Sequence, residues 1–290
     1  MSLSQALWLS LAAAFSGSIS ALLAKYVLRF AETRHYLTVN FTIIFVMLIP
    51  LAPFNFALQW SVPALLTLGL ASSIDGLGNF YYFRAFEQTD AGTASALLSL
   101  GPIFTLALAP LFPTLMNSPL KATNLMGILV TVSGVVVLNQ AIRHRHLAQK
   151  REVAPRRKLF APLMASLLFG SNVYLVKYIL NTGIANPFTY YFVRLFIVAV
   201  MSYAVWRPNL HWVTPRRVGV IAGRATFVIA KWLIYLYAVD LGNPALVKSV
   251  SEVSPLFVVI LSAIFLNERL TRHKVLGVLL IIGGLWLIAV

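Results

Sequence analysis

The fold class that this sequence predicts is an all-α membrane protein, with ten transmembrane helices arranged as two inverted five-helix repeats. Three observations predict it. Apolar runs of about 20 residues, the length that crosses a hydrocarbon core of roughly 30 Å, recur along the chain. Short residue strings reappear in the same order some way downstream at nearly one offset. Basic residues gather in alternate loops.

Composition supports the first observation. Of 290 residues, 59% are hydrophobic and 11% charged, and the mean hydropathy is +0.83. A soluble domain carries about 25% charged residues, so lipid is the main solvent here. Spans are predicted over 4–28, 36–53, 62–84, 91–112, 123–142, 159–180, 188–206, 215–239, 244–266 and 274–290. Barrel strands are about ten residues long with strict alternation. These runs are longer and continuous, and in hydrocarbon a lone segment satisfies its own backbone only as a helix. The first run lacks a basic leader and a small-residue cleavage site, so it reads as the first span.

The one long polar connection, Arg143 to Lys158, holds seven basic residues and Pro155. It divides the chain into a first repeat over 1–142, a basic linker over 143–158 and a second repeat over 159–290. Leu23-Ala24-Lys25-Tyr26-Val27-Leu28 recurs as Leu175-Val176-Lys177-Tyr178-Ile179-Leu180, an offset of 152. Ser99-Leu100-Gly101-Pro102-Ile103-Phe104 recurs as Glu252-Val253-Ser254-Pro255-Leu256-Phe257 at 153, and Gly127 and Gly134 recur as Gly277 and Gly284 at 150. Five spans is an odd number, so the second repeat enters the membrane in the opposite sense, a recurrent carrier architecture.

Loop charge sets the orientation. One set of loops holds Arg29, Arg34, Arg84, the seven linker residues, Arg207, Arg216, Arg217, Arg269, Arg272 and Lys274; the other set holds only Lys121. The basic set is expected in the cytoplasm of a cell whose inner (plasma) membrane holds the chain, which places both termini outside. The net charge of +15 follows from this bias, and no basic surface domain is present to bind nucleic acid.

Enzyme signatures are missing: no HExxH, GxSxG or P-loop, and no acidic cluster for Mg²⁺. Cysteine is absent and the five histidines lie in or near loops, so no cofactor or metal is expected. A non-enzymatic role driven by a gradient or by exchange is the expectation.

The repeated pattern resembles the drug/metabolite transporter superfamily, specifically its EamA-type ten-helix members. Pro102 and Pro255 in spans four and nine, Asn267-Glu268-Arg269-Leu270 after span nine, Gly127 with Gly134, and Gly277 with Gly283-Gly284 carry the resemblance, as do Lys25 and Lys177. It implies a central cavity lined by spans 1, 3, 4, 6, 8 and 9, with the fifth span of each repeat at the periphery. Relatives move amino acids, nucleotide sugars, phosphorylated metabolites and amphipathic compounds, often outward. Three features depart from the pattern. The loop Pro113 to Ala122 lacks the Glu-Arg-Leu element, Arg194 has no counterpart near Asn40–Thr42, and both termini are expected outside.

Independently of family, charges at span depth are expensive and face the interior, a partner or water. Eight qualify: Asp75, Lys231, Glu252, Arg194, Arg224, Lys25, Lys177 and Lys248. Ser72, Asp75, Asn79 and Tyr82 share one face of span three. Asp75 reads either as a structural partner of Lys231, on the equivalent span, or as a transport residue. Arg224, Lys231 and Tyr235 share a face of span eight. Arginine grips carboxylate or phosphate as a fork, lysine as a point charge, although Arg224 also fits snorkelling to the interface. Lys248 and Glu252 form an i, i+4 pair three residues before Pro255. Glu252 or Asp75 is a candidate for proton exchange. Ser95, Ser99 and Thr105 are read chiefly as packing hydroxyls, and Lys25 and Lys177 as snorkelling groups or gates.

Six positive and two negative groups leave an excess of cations, and burying an uncompensated charge costs several kcal/mol. The expected ligand is therefore a small anionic or zwitterionic molecule, held by Asp75, Asn79, Tyr82, Arg194, Arg224, Lys231, Tyr235, Lys248 and Glu252. Protons, membrane lipids and at most a second copy of the chain complete the expected partners. A flippase for an anionic lipid or lipid-linked sugar is the rival reading.

Overall fold

The computed structural model describes residues 3–27, 32–88, 97–98, 100–115, 120–147, 159–254, 256–257, 260–261 and 272–289. The helices are α1 (Leu3–Val27), α2 (Thr33–Leu48), α3 (Val62–Gln88), α4 (Gly101–Leu108), α5 (Ala122–Leu147), α6 (Phe160–Asn181), α7 (Pro187–Trp206), α8 (Pro215–Leu241), α9 (Pro244–Ser251) and α10 (Arg272–Ala289). A tight turn over Ile49–Leu51 and one more helical turn, Ala52–Asn55, prolong α2. Among the described residues, Thr33–Asn55, Phe160–Asn181, Pro187–Val205 and Pro215–Leu241 are long and apolar enough, by length and composition, to cross a membrane. The linker residues 148–158, Pro255 and Asn267-Glu268-Arg269-Leu270 lie outside the described residues.

Local chemistry explains where the second-repeat helices begin. Asn186, Thr214 and Asn243 stand at the N-caps of α7, α8 and α9, each followed by proline. Their side-chain oxygens accept from the backbone N–H of Thr189 (2.7 Å), Arg217 (3.4 Å) and Ala245 (3.0 Å). Proline at the first helical position loses nothing, because that N–H has no intrahelical partner.

The duplication shows in the packing. α3 and α8 are related by an offset of 153 residues at both ends. The main helix pairs are α1 with α8, α3 with α6, α2 with α7, α3 with α7, α2 with α8, α4 with α6, α1 with α9, α4 with α9 and α5 with α10. Exchanging each helix for its counterpart in the other repeat returns the same set of pairs, as a two-fold axis requires. The α5–α10 and α1–α8 pairs also run antiparallel. On α5 and α10, a Cβ placed on Gly127 would lie 2.7 Å from the Gly284 carbonyl oxygen, and one on Gly134 would lie 2.9 Å from the Gly277 carbonyl oxygen. On α1 and α8, Ser16 bonds the Phe227 carbonyl, while Gly242 faces Ala6. Opposite running directions are what inverted repeats of five helices produce.

Glycine and alanine let these backbones approach, which is how helices associate in lipid, where apolar burial gives no driving force. The α5–α10 seam is glycine against glycine, with Asn124 Nδ2 donating to the Ile288 carbonyl at 3.0 Å. The main core draws mostly on α1, α2, α3, α6, α7 and α8, and a separate cluster joins α5 and α10 to α9. Large apolar side chains such as Leu66, Leu70, Leu129, Leu279 and Trp286 stay on the outside, the arrangement that lipid favours.

Candidate functional site

On α3, the polar face expected at helical spacing is buried at Ser72, Asp75 and Asn79, with Tyr82 half-buried. Asn79 Nδ2 donates to both the Asp75 carboxylate and its own i−4 carbonyl, each at 2.8 Å. The expected ionic partner was Lys231, but the Asp75 carboxylate accepts instead from Arg194 Nε on α7. The reason is packing: α3 lies against α7, whereas the main neighbour of α8 is α1. Arg194 is 1% exposed, and its guanidinium carbon sits 4.0 Å from the Trp232 ring centre, 5.4 Å from Tyr191 and 5.8 Å from Phe41.

Arg224 does not snorkel. It is buried, with Nε donating to the Ser20 carbonyl at 3.0 Å and Nη1 to Asn40 Oδ1 at 2.6 Å. The Tyr36 hydroxyl donates to the same amide oxygen at 3.1 Å, and Tyr36 and Phe83 flank the guanidinium. The two-fold axis relates the α2–α8 contact to the α7–α3 contact. Each of these two places therefore buries one arginine across from a polar side chain. Arg194 meets a carboxylate, while Arg224 meets only neutral oxygens. That difference leaves one guanidinium charge without a counter-ion among the described residues.

Lys231 is the second such charge. Its methylenes lie against Gly17 of α1, where a Cβ would come within 3.0 Å of Lys231 Cδ. Its ammonium stands 5.6 Å from the Trp232 ring centre. Among the described residues it forms no hydrogen bond or ion pair. Lys248 and Glu252 do pair, at 2.6 Å. Helix α9 ends at Ser251, so Glu252 sits on its C-cap with its side chain 28% exposed. The Lys248 ammonium lies 5.7 Å from the Phe169 ring centre.

These residues form one electrostatic neighbourhood. Lys231 feels Glu252, Lys248, Arg224 and Arg194; Asp75 feels Arg194, Lys248 and Lys231. Tyr82 lies within reach of Arg224 and Glu252, and Tyr235 of Lys248, Glu252 and Asp75. With Asn79 bonded to Asp75, all nine residues singled out from the sequence come together. Two pairs cancel, and among the described residues Arg224 and Lys231 remain.

Lys177 departs from its expectation, whereas Thr105 meets its own. Lys177 neither snorkels nor joins this cluster: it is fully buried, and its ammonium donates to the Val239 carbonyl (2.7 Å) and the Asp240 carbonyl at the end of α8. A cation there meets carbonyls of the last helical turn and the negative end of the helix dipole. Thr105 Oγ1 donates to the Gly170 carbonyl at 2.8 Å and to its own i−4 carbonyl at 3.2 Å, while the Tyr174 hydroxyl donates to the Thr105 carbonyl. It is a packing hydroxyl between α4 and α6. The side chains of Lys25, Ser95 and Ser99 lie outside the described residues. Asn40, Ser20, Tyr36 and Trp232 are participants that sequence reasoning passed over. A lone amide within an apolar span was the available signal for Asn40, while a backbone carbonyl such as that of Ser20 carries none.

With this arrangement established, known proteins supply the family. The EamA-like transporter family matches residues 4–140 and again 157–290, one copy per repeat. The chain belongs to the EamA-like transporter family. It is thus a multi-pass membrane protein that moves small molecules, in a family of transporters rather than enzymes. Comparison with curated proteins gives no match. Among solved structures, a crystal structure superposes with a TM-score of 0.78 at 17% identity, covering 100% of this chain and 99% of that one. That likeness bears on the fold alone.

Proposed function

We propose that this EamA-like protein is a secondary carrier for a small polar metabolite bearing a carboxylate or phosphate, working as an exporter or exchanger. Its two repeats rock about the two-fold axis to expose a central site alternately to either side. The observation that supports this most directly is the charge imbalance of the buried cluster. Arg194 and Lys248 have carboxylate partners, while Arg224 has neutral acceptors and Lys231 has none among the described residues. An uncompensated cation away from water costs several kcal/mol, and an anionic ligand removes that cost. A hydrophobic cation would add to it.

In this reading the substrate's anionic group sits near Arg224 and Lys231, with Tyr82 and Tyr235 as the wall. Asp75 keeps Arg194 in place. Glu252, the more exposed of the two carboxylates, exchanges a proton or releases Lys248 as substrate arrives. The basic linker faces the cytoplasm, and both termini lie outside. The test is uptake and counterflow in proteoliposomes against a panel of carboxylates, phosphorylated metabolites, amino acids and organic cations, with a pH gradient imposed or collapsed. Transport confined to cations would overturn the reading.

A further inference from the structure

The two-fold axis also relates the α1–α8 crossing to the α6–α3 crossing, and the two use the same parts with the helices exchanged. At offsets of 152 for α1 and α6 and 153 for α3 and α8, Phe169 is the counterpart of Gly17, and Gly78 that of Lys231. At the first crossing Lys231 of α8 lies along Gly17, whose Cβ would come within 3.0 Å of Lys231 Cδ and 3.2 Å of Cε. At the second, Phe169 of α6 lies over Gly78, whose Cβ would come within 2.8 Å of the ring. Each glycine admits one large side chain between two helix backbones. One crossing thereby carries an ammonium and the other a phenyl ring.

Phe169 points inward. Phe160 and Tyr178 stand nine residues to either side of it on α6, which at 3.6 residues per turn puts both on the opposite face, and both are exposed. Phe169 is nonetheless only half-buried, as are Lys231 and Tyr82. Its ring centre lies 5.7 Å from the Lys248 ammonium and 6.3 Å from the Tyr82 ring centre. Lys248 is neutralised there by Glu252, whereas Lys231 and Arg224 lack a counter-ion among the described residues. The cluster therefore has a cationic end on α1 and α8 and an aromatic end on α3 and α6.

We propose that Phe169 is a specificity-determining residue, and that the substrate is an organic anion with a flat apolar body, whose charged group meets Lys231 and Arg224 while the body packs on Phe169 beside Tyr82. The inference rests on the anionic-substrate reading above and narrows it. Aromatic faces and edges reward ring contact beyond the area they bury. A sugar phosphate would instead lay hydroxyls against the Phe169 ring and leave them without hydrogen bonds, which costs binding.

The test is equilibrium dialysis of the full-length protein in detergent at pH 7, with radioactive acetate and phenylacetate. These two carboxylates differ only by the ring. Phenylacetate should bind about tenfold tighter or more, as burying roughly 55 Å² of ring surface gives. Phe169→Ala should bring the two affinities close together, and Phe169→Tyr should keep them apart. Lys231→Ala should weaken both probes by the same factor. Should Phe169→Ala fail to fold, Phe169→Leu, which keeps bulk over Gly78 and removes the flat ring, carries the same expectation. Equal affinity of the two probes for the unaltered protein overturns the proposal. So does a loss in Phe169→Ala shared equally by both probes, which would make the ring a mere support for Lys248. In either case acetate still binds and the anionic-substrate reading stands. If neither carboxylate binds, that reading falls and takes this one with it.

Discussion

Replacing Asp75 with asparagine tests the pair at the centre of the helical shell. The change is nearly isosteric, yet it leaves the Arg194 guanidinium 1% exposed with no counter-charge bonded to it. Removing one partner of a buried ion pair costs about 3–5 kcal/mol. Two contacts soften the loss. The new amide oxygen still accepts from Nε, and Trp232 at 4.0 Å retains a cation–π attraction worth about 2 kcal/mol when desolvated. The expected cost is therefore near the lower bound, about 3 kcal/mol. Arg194→Met leaves a lone carboxylate bonded only by Asn79 and should cost at least as much. Removing both charges together, Asp75→Leu with Arg194→Met, should return stability to within about 1 kcal/mol of the original, because apolar replacement of a whole buried pair is close to neutral. Reversible unfolding followed by tryptophan fluorescence in detergent measures all three. If Asp75→Asn unfolds within about 0.5 kcal/mol of the parent, or if the double variant shows the sum of the single losses, the two groups are not coupled as described.

Other changes probe separate links. Lys177→Met removes two charge-assisted bonds to the end of α8, each worth about 1.5–3 kcal/mol; after relief of the desolvation cost a net loss of about 2–4 kcal/mol is expected, measured by the same unfolding assay. Gly284→Leu should separate α5 from α10, since even a Cβ there would run into the Thr131 hydroxyl and come within 2.6 Å of the Thr131 backbone nitrogen; monodispersity on gel filtration and thermal stability both should fall. Lys231→Ala and Arg224→Met should each raise KM for an anionic substrate about tenfold or more, the effect of losing about 1.4 kcal/mol of binding; a proteoliposome assay showing unchanged KM for both would remove them from the site. Glu252→Gln should make transport indifferent to an imposed pH gradient while exchange of substrate for substrate continues. Persistent pH dependence would assign the proton to another group.

Much of the architecture was legible because its causes are local or periodic. Hydrocarbon thickness sets helix length, so the predicted span 62–84 falls within α3, and 215–239 within α8, each a few residues short at its polar end. The repeated glycines of spans five and ten announced close backbone approach, and they do meet one another. The buried charges were also legible as a set, because a charge in an apolar span has few tolerable surroundings and such charges gather. Their pairing was not. Lys231 was chosen for Asp75 by symmetry of position, whereas the charge that reaches it stands 119 residues away on a helix of the other repeat. Lys177, near a helix end, had every mark of a snorkelling residue until the end of α8 was found against it.

The amino-acid sequence alone thus determined where the long helices lie, the duplication and inversion, and the gathering of excess positive charge at depth, but not that α4 and α9 are helices of only eight residues within the predicted spans 91–112 and 244–266. All of these follow from transfer free energies and a repeat offset that act along the chain. Tertiary structure decided which charges neutralise one another, because that depends on which helix faces abut. Only the packing of α3 on α7 and of α1 on α8 gives Arg194 a carboxylate and leaves Arg224 and Lys231 without one among the described residues.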